Sequence, residues 1–256
     1  MFLYFLLVSF LFGSIIGSFL NVCIYRIPAG ESIVHPPSRC PACAATIRWY
    51  QNIPIFSYIL LRGRCAGCKV RISPRYPMVE ALTGLLFALI VYRFGPQHFV
   101  PVLWLFAAAL VVITFIDLDH QIIPDVISLP GIIIGFLCSF LIPWVSWTDS
   151  LLGILLGGGS LFAVAAGYEL LTKKEGMGGG DIKLLAMLGA FLGWKAVLPT
   201  IFISSLLGSL VGIPLMMIKK ADRRLAIPFG PFLVTGAMVY LLWGPALIHW
   251  YLSLFR

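Results

Sequence analysis

Charged residues are scarce in this chain. They make up 11% of its 256 residues, whereas a soluble domain carries about a quarter. Hydrophobic residues make up 60% of the chain, and its mean hydropathy is +1.00. A repeat of fixed period and a low-complexity tract are also absent from the sequence. This composition excludes an ordinary soluble domain and predicts a polytopic helical membrane protein.

Apolar runs of about 20 residues predict membrane-spanning helices. Eight such segments can be read, two of them shorter than the rest, near residues 2–25, 78–94, 99–116, 126–147, 150–168, 184–194, 196–218 and 226–252. We therefore predict an all-α membrane protein with about eight transmembrane helices. The sixth segment is too short to cross a bilayer unless protein buries it or it lines water.

The first segment lacks the features of a cleaved signal peptide. No basic region precedes it, no clear small-x-small cleavage site follows it, and its first charge, Arg26, comes after the apolar run. A retained first span is expected.

The distribution of basic residues predicts the topology. With the N-terminus outside, eight spans place four segments inside, namely 26–77, 117–125, 172–183 and 218–225. Of the 18 lysine and arginine residues, only Arg93, Lys195 and Arg256 then lie outside, which is the pattern of the positive-inside rule. The net charge of +8 is explained by this topology and by attraction to anionic membrane lipid, so no nucleic-acid partner is expected.

Residues 26–77 form the one long polar stretch, and they hold four cysteines in two Cys-x-x-Cys pairs, "RCPAC" and "RCAGC". This spacing is close to that of zinc ribbons, in which two loops each present two thiolates to a tetrahedral metal. A lobe of about 50 residues is too small for a robust core, so a metal would supply stability. We predict a zinc-ribbon-like lobe with the ligands Cys40, Cys43, Cys65 and Cys68.

Two disulfides or a thioredoxin-like redox pair are the alternatives for these cysteines. The predicted topology disfavours disulfides, because the lobe would face the reducing cytosol. The other two cysteines, Cys23 and Cys138, lie in apolar segments and are interpreted as packing residues.

Acidic residues are rarer still, ten in all, and half of them lie in or beside "FIDLDHQIIPD" and "KEGMGGGD". An ionisable group at membrane depth indicates a functional site. Two facing carboxylates share a proton, so that one can act as base and the other as acid on a water that attacks a peptide carbonyl. Asp117 and Asp181 are the candidates for such a pair. Asp119 should point off the Asp117 face of its helix, and Asp125 is interpreted as a helix N-cap.

The glycines before Asp181 would allow close backbone approach and loop movement. A phosphate-binding loop is disfavoured, because no strand precedes the run and no Gly-Lys-Ser/Thr follows it. A secondary transporter remains an alternative, because short glycine-broken helices with buried acids also build ion sites in carriers.

"FIDLDHQIIPD", followed 64 residues after Asp117 by "GGGDIKLLAMLGAFLGW", resembles the bacterial type IV prepilin peptidases. The resemblance extends to "GSFLNVCIYRIP", the four-cysteine lobe, "ISPRYPMVEALTG" and "IPFGPFL", and so covers nearly the whole chain.

The resemblance implies an enzyme of the bacterial inner membrane that removes the leader of prepilins or pseudopilins after a glycine at the cytosolic face. Many members then methylate the new N-terminus with S-adenosylmethionine. The catalytic aspartates of the family fall on Asp117 and Asp181, and its metal-binding cysteines fall on the four named above. The expected organisation is a first transmembrane helix (1–25), a cytosolic four-cysteine lobe (26–77) and a membrane aspartyl protease domain (78–256).

Overall fold

The computed structural model describes residues 1–173, 178–219 and 227–253. Within these ranges the protein is helical and contains no β-strand, which confirms the predicted all-α class. The nine α-helices of these ranges are α1 (Phe2–Arg26), α2 (Phe56–Leu60), α3 (Arg75–Phe94), α4 (Val100–His120), α5 (Asp125–Cys138), α6 (Trp147–Thr172), α7 (Gly179–Leu192), α8 (Val197–Lys219) and α9 (Gly230–Ser253). The chain divides into two compact units, Met1–Val112 (unit 1) and Ile113–Arg256 (unit 2).

Each of the eight apolar segments contains a helix. Six helical stretches of the described residues are long and apolar enough to cross a membrane: α1, α3, α4, α6, α9 and the stretch Trp194–Ile218 that contains α8. The protein is therefore a multi-pass membrane protein, while the total of eight spans stays a prediction.

Among the helices of the eight apolar segments, α5 and α7 are the two short ones, with 14 residues each. At 1.5 Å per residue each extends about 21 Å, less than the hydrocarbon core of a bilayer. The fourth apolar segment was expected to continue to residue 147, but α5 ends at Cys138, and turns that include Pro143 lead to α6. Ser146 begins α6 as its N-cap, accepting a hydrogen bond from the Asp149 backbone N–H at 3.1 Å. Every residue of α7 from Leu184 to Leu192 is buried, so protein surrounds this helix as its length requires.

In unit 1, α1 packs closely against α3 through glycines. A Cβ added to Gly13 would lie 2.9 Å from the Gly84 Cα, and one added to Gly17 would lie 2.7 Å from the Glu80 Cα. Gly13 and Gly17 form a Gly-x-x-x-Gly pair, which lets two helix backbones approach where lipid supplies no hydrophobic driving force.

In unit 2, α6 packs against α7 in the same way. Gly153 and Gly157 of α6 face the α7 backbone at Gly189 and Leu185, with no room for a Cβ between them. The Ser150 hydroxyl adds a hydrogen bond of 2.7 Å to the Ala190 carbonyl. Helices α5 and α9 also contact α7, which makes α7 the centre of the unit.

Candidate active site and cysteine cluster

Asp117 lies in the last turn of α4 and is only 5% exposed. A carboxylate in such surroundings is costly unless hydrogen-bond donors compensate for the lost water. Its Oδ2 accepts a hydrogen bond from the backbone N–H of Gly230 at 3.0 Å. Gly230 is the first residue of α9, so this N–H is one of the amides that a helix start leaves free.

Gly230 itself is required by this contact. A Cβ on Gly230 would lie 2.5 Å from Asp117 Oδ2, closer than atoms can pack without displacement. Pro228 and Pro231 flank Gly230 in "IPFGPF" and interrupt the backbone hydrogen bonding at the start of the last span. The structure shows that the freed amide of Gly230 binds Asp117.

Asp181 lies in the first turn of α7, which begins after Gly178 as N-cap. A Cβ on Gly180 would lie 3.0 Å from the Ile123 Cβ, so this glycine lets the start of α7 approach the segment that follows α4. The side chain of Asp181 is partly buried, and the Asp117 carboxylate lies close enough to act on it electrostatically. The structure thus brings these two acids together.

Both acids are placed at helix N-termini, Asp117 against α9 and Asp181 in α7. The peptide dipoles of a helix leave about half a positive charge at its N-terminus, which stabilises a nearby negative charge. This arrangement provides the compensation that two neighbouring carboxylates need inside a membrane protein. No basic side chain forms an ion pair with either acid in the part of the chain that the structure describes.

Asp119 and Asp125 are both exposed. The interpretation of Asp125 as the N-cap of α5 is wrong, because Pro124 is the N-cap and Asp125 is the first helical residue. Its two carboxylate oxygens lie 2.7 and 2.8 Å from Lys183 Nζ. A charged donor is a stronger partner for a carboxylate than a backbone amide. Asp125 therefore joins the starts of α5 and α7, a role that its sequence neighbourhood did not indicate.

Glu175 and the first glycine of the run, Gly176, lie outside the described residues.

The four cysteines of the polar stretch converge in unit 1. Their sulfur atoms all lie within 4.8 Å of one another, and Cys40 Sγ and Cys68 Sγ are 3.8 Å apart. All six cysteines of the chain are free thiols. The predicted cluster is thus present as a structural feature.

Two equivalent loops build the cluster. In one, the Cys40 N–H binds the Ala45 carbonyl at 2.9 Å, and in the other the Cys65 N–H binds the Val70 carbonyl at 2.9 Å. Each loop passes through a left-handed residue just after its second cysteine, Ala44 with φ 55° and Lys69 with φ 60°. The chain therefore turns back sharply enough for each loop to present two sulfurs on one side.

The donor set fits zinc. Four thiolates at about 2.3 Å from a tetrahedral Zn²⁺ lie about 3.8 Å from one another, which is the separation of Cys40 and Cys68. Backbone N–H groups of Cys43 and then Ala42 lower the pKa of the Cys40 thiol to about 6, which favours its thiolate. The Val70 backbone N–H lowers the pKa of the Cys68 thiol, but burial and the neighbouring cysteines together raise it to about 11, so without a metal the cluster favours the thiolate at Cys40 and disfavours it at Cys68.

Comparison with known proteins gives two family matches. The description "Bacterial Peptidase A24 N-terminal domain" matches residues 11–94, and "Type IV leader peptidase family" matches residues 104–213. A prepilin leader peptidase/N-methyltransferase of Aeromonas hydrophila is 41% identical to this chain over 99% of the chain and 95% of its own length. The chain belongs to the prepilin leader peptidase/N-methyltransferase family.

Other members of the prepilin leader peptidase/N-methyltransferase family are similarly related. The Pseudomonas putida member is 38% identical over 94% of this chain and 91% of its own length. The Neisseria gonorrhoeae member is 41% identical over 89% of this chain and 87% of its own length. No solved structure matches the chain. The family membership confirms the resemblance read from the sequence motifs.

Proposed function

We propose that this protein is an intramembrane aspartyl endopeptidase that cuts the leader from type IV prepilins or pseudopilins after a glycine. The observation that carries the proposal is the approach of Asp117 and Asp181 at the starts of two helices, within a chain of the leader peptidase family. The two acids are the catalytic pair. The chain is also an N-methyltransferase, as the names of its relatives state for them. The group that it modifies is the N-terminus freed by cleavage.

The hydrolytic step needs one base and one acid. One carboxylate accepts a proton from a water molecule, which attacks the carbonyl carbon of the scissile peptide bond. The other gives its proton to the carbonyl oxygen. As the C–N bond breaks, the first carboxylate passes the proton that it took from water to the leaving amine, and the collapsing intermediate returns a hydroxyl proton to the second carboxylate. Because like charges disfavour full ionisation of both acids, the pair holds the single proton that this division requires.

The position of the pair suits a prepilin substrate. Asp117 lies in the last turn of a membrane helix of 21 residues, which puts the pair near a membrane boundary. A prepilin leader is basic and is followed by a long apolar helix, which places its cleavage point at the same boundary. The glycine before the cut lets the substrate backbone approach the acids closely.

N-methylation is a separate transfer with S-adenosylmethionine as second substrate. The amine freed by cleavage attacks the methyl carbon of the sulfonium. The C–N bond forms as the C–S bond breaks, the donor leaves as a neutral thioether, and the methylated amine releases a proton to water.

Zinc held by Cys40, Cys43, Cys65 and Cys68 serves as a structural ion. When bound, it would cross-link the two loops of the lobe and supply the stability that so short a lobe cannot obtain from a hydrophobic core. No step of cleavage is assigned to it. The protein's own contribution is the pair of turns that present the four sulfurs on one side.

The active site is proposed to face the cytosol from the bacterial inner membrane, with the cysteine lobe on the same side. Engineered cysteines test this orientation. In intact cells an impermeant thiol reagent is expected to label position 97 and to leave positions 62 and 173 unlabelled. Gln97, Arg62 and Lys173 are all exposed, so protection would report the membrane barrier. Labelling of the unsubstituted protein measures the background from its native cysteines. The reverse labelling pattern would refute the orientation.

The activity itself is tested with purified protein and a prepilin in detergent. We expect release of the leader after glycine, followed by transfer of labelled methyl from S-adenosylmethionine to the new N-terminus. Intact prepilin after prolonged incubation with folded, zinc-loaded protein would contradict the peptidase assignment. Cleavage without methyl transfer would contradict only the methyltransferase assignment. The alternative of a secondary transporter predicts neither reaction, and the peptidase families that match the chain give it no support.

A further inference from the structure

The segment that connects α1 with α3 extends back along the two helices as well as beyond their ends. Ser18 Oγ of α1 lies 3.5 Å from Asn52 Oδ1 of this segment. The Glu80 carboxylate of α3 accepts a hydrogen bond of 2.7 Å from the Ile55 N–H. Ser18 lies eight residues before the end of α1, and Glu80 lies five residues after the start of α3. At about 1.5 Å per residue, the loop around these contacts reaches about 12 Å along α1 and about 8 Å along α3.

This reach brings the loop to the membrane boundary. Helix α1 has 25 residues and is therefore about 38 Å long, whereas the hydrocarbon core of a bilayer is about 30 Å thick. Even if the whole excess of about 8 Å lay at the end next to the connecting segment, a contact about 12 Å from that end would meet the hydrocarbon. The loop therefore lies where lipid headgroups meet acyl chains.

Helix α2 follows this loop directly and exposes apolar side chains. Phe56, Ile59 and Leu60 are 55, 65 and 66% exposed. Proteins rarely leave neighbouring large apolar side chains in water, and such a patch marks a surface that a partner or a membrane covers. At the depth of this loop, lipid is the adjacent medium. The face of α2 formed by these three side chains is therefore suited to contact with acyl chains.

A cationic cavity continues from this face of α2. It measures about 410 Å³ and is lined by Leu60, Leu61, Arg62, Arg64 and Lys69. The lining holds three basic side chains and no acid, and none of the three forms an ion pair within the part of the chain that the structure describes. Uncompensated positive charge in a cleft favours an anionic ligand. The two leucines add apolar surface beside that charge.

Hydrogen-bonded turns fix where the basic residues of this cavity lie. The Arg62 N–H binds the Ile59 carbonyl at 3.0 Å, and the Lys69 N–H binds the Cys65 carbonyl at 3.1 Å. Arg64 immediately precedes Cys65 in the second cysteine loop. The backbone positions of the three cations are therefore set by the end of α2 and by this loop, so that less conformational entropy is lost when an anion binds.

We propose that the cationic cavity binds the phosphate of an anionic phospholipid, whose acyl chains contact the exposed face of α2. Arginine presents a planar fork of N–H donors that matches phosphate oxygens. Leu60 belongs to both surfaces and connects the headgroup site with the acyl-chain site. A zwitterionic lipid carries a cation beside its phosphate, which the three basic side chains repel. This inference is independent of the peptidase and methyltransferase assignments.

Lipid binding is tested with the full-length, zinc-loaded protein in detergent. Native mass spectrometry follows titration with phosphatidylglycerol for the wild type and two double variants, Arg62→Gln/Arg64→Gln and Arg39→Gln/Arg48→Gln. Each basic residue beside an anionic lipid contributes about fivefold to binding, so the cavity variant is expected to bind the first lipid about twentyfold more weakly. The second variant removes two exposed bases of the same lobe that do not line the cavity, and it should bind like the wild type.

Two further ligands identify the source of the phosphate. Phosphatidylcholine with the same acyl chains is expected to bind the wild type more weakly than phosphatidylglycerol, and inorganic phosphate is expected not to displace the bound lipid. A second measurement needs no variant, because photoactivatable phosphatidylglycerol should cross-link to wild-type peptides within residues 56–71. Zinc content and thermal melting show whether the cavity variant is folded, and Lys69→Gln provides a milder change in the same cavity.

Three results would overturn the inference. The first is equal phosphatidylglycerol binding by the folded cavity variant and its control. The second is displacement of the lipid by inorganic phosphate, which would indicate a site for a soluble anion. The third is cross-linking that leaves residues 56–71 unmarked, or that is equal for phosphatidylglycerol and phosphatidylcholine. None of these results would bear on prepilin cleavage, which is measured separately.

Discussion

Replacing Asp117 or Asp181 with Asn is expected to abolish leader cleavage. Asn keeps the shape of the side chain, and at position 117 its oxygen can still accept the hydrogen bond from the Gly230 N–H. It removes the acidic proton that catalysis must exchange. Loss of general acid–base catalysis costs about 10²–10⁴ in rate, and the larger figure is expected because the two acids share one role. The measurement is kcat/KM for prepilin cleavage, monitored by the change in gel mobility of the substrate.

Asp125→Asn and Asp119→Asn are the matched controls, because both acids are exposed and lie within eight residues of Asp117. Asp125→Asn weakens the ion pair with Lys183, and exposed pairs contribute only about 0–1 kcal/mol, so cleavage should fall less than about tenfold. Asp119→Asn is expected to cause at most a modest loss. Near-normal cleavage by Asp117→Asn together with loss in Asp125→Asn would show that the wrong carboxylates are paired.

A backbone variant tests the same site without removing an acid. Gly230→Ala would push its Cβ against Asp117, and a displacement of about 1 Å can cost roughly a hundredfold in rate. Gly159→Ala is its control, because a Cβ at Gly159 in α6 meets nothing within 4 Å. Equal cleavage by the two variants would argue against the close fit of α9 to Asp117.

Replacing any one of the four clustered cysteines with Ser is expected to remove zinc and unfold the lobe. Structural zinc contributes roughly 10–16 kcal/mol to the folding of small zinc-binding peptides, far more than so short a lobe can supply from its core. Purified wild type should contain about one zinc per chain, which is the content of a closed four-thiolate site. Metal analysis and limited trypsin digestion of residues 26–77 are the measurements.

Cys138→Ser is the control for this experiment, since Cys138 lies in α5 of unit 2, outside the cluster. It should keep the metal and the protease resistance of the lobe. A chelator added to wild type should reproduce the effect of Cys40→Ser. A lobe that resists trypsin equally with and without metal would contradict the structural role of zinc.

The sequence by itself determined the helical class, the approximate places of the helices, and the two sets of candidate site residues, namely the aspartates at the ends of the apolar segments and the four clustered cysteines. Long apolar runs indicate membrane helices because lipid leaves the backbone no other way to satisfy its hydrogen bonds. The paired Cys-x-x-Cys spacing indicated a four-sulfur cluster because each pair forms its turn locally. The burial of Asp117 and the exposure of Asp119 follow from helical periodicity over two residues.

Only the tertiary structure decided which distant groups meet. The hydrogen bond from Gly230 to Asp117 joins residues 113 apart, and the pairing of Lys183 with Asp125 joins residues 58 apart. Hydropathy along the chain is nearly uniform in such helices, so it does not indicate which faces pack. Close approach through glycines at α1–α3 and α6–α7 decides this packing, because backbone contact is possible only where no Cβ intervenes. The packing of α6 against α7 also buries the short helix α7, whose first turn carries Asp181.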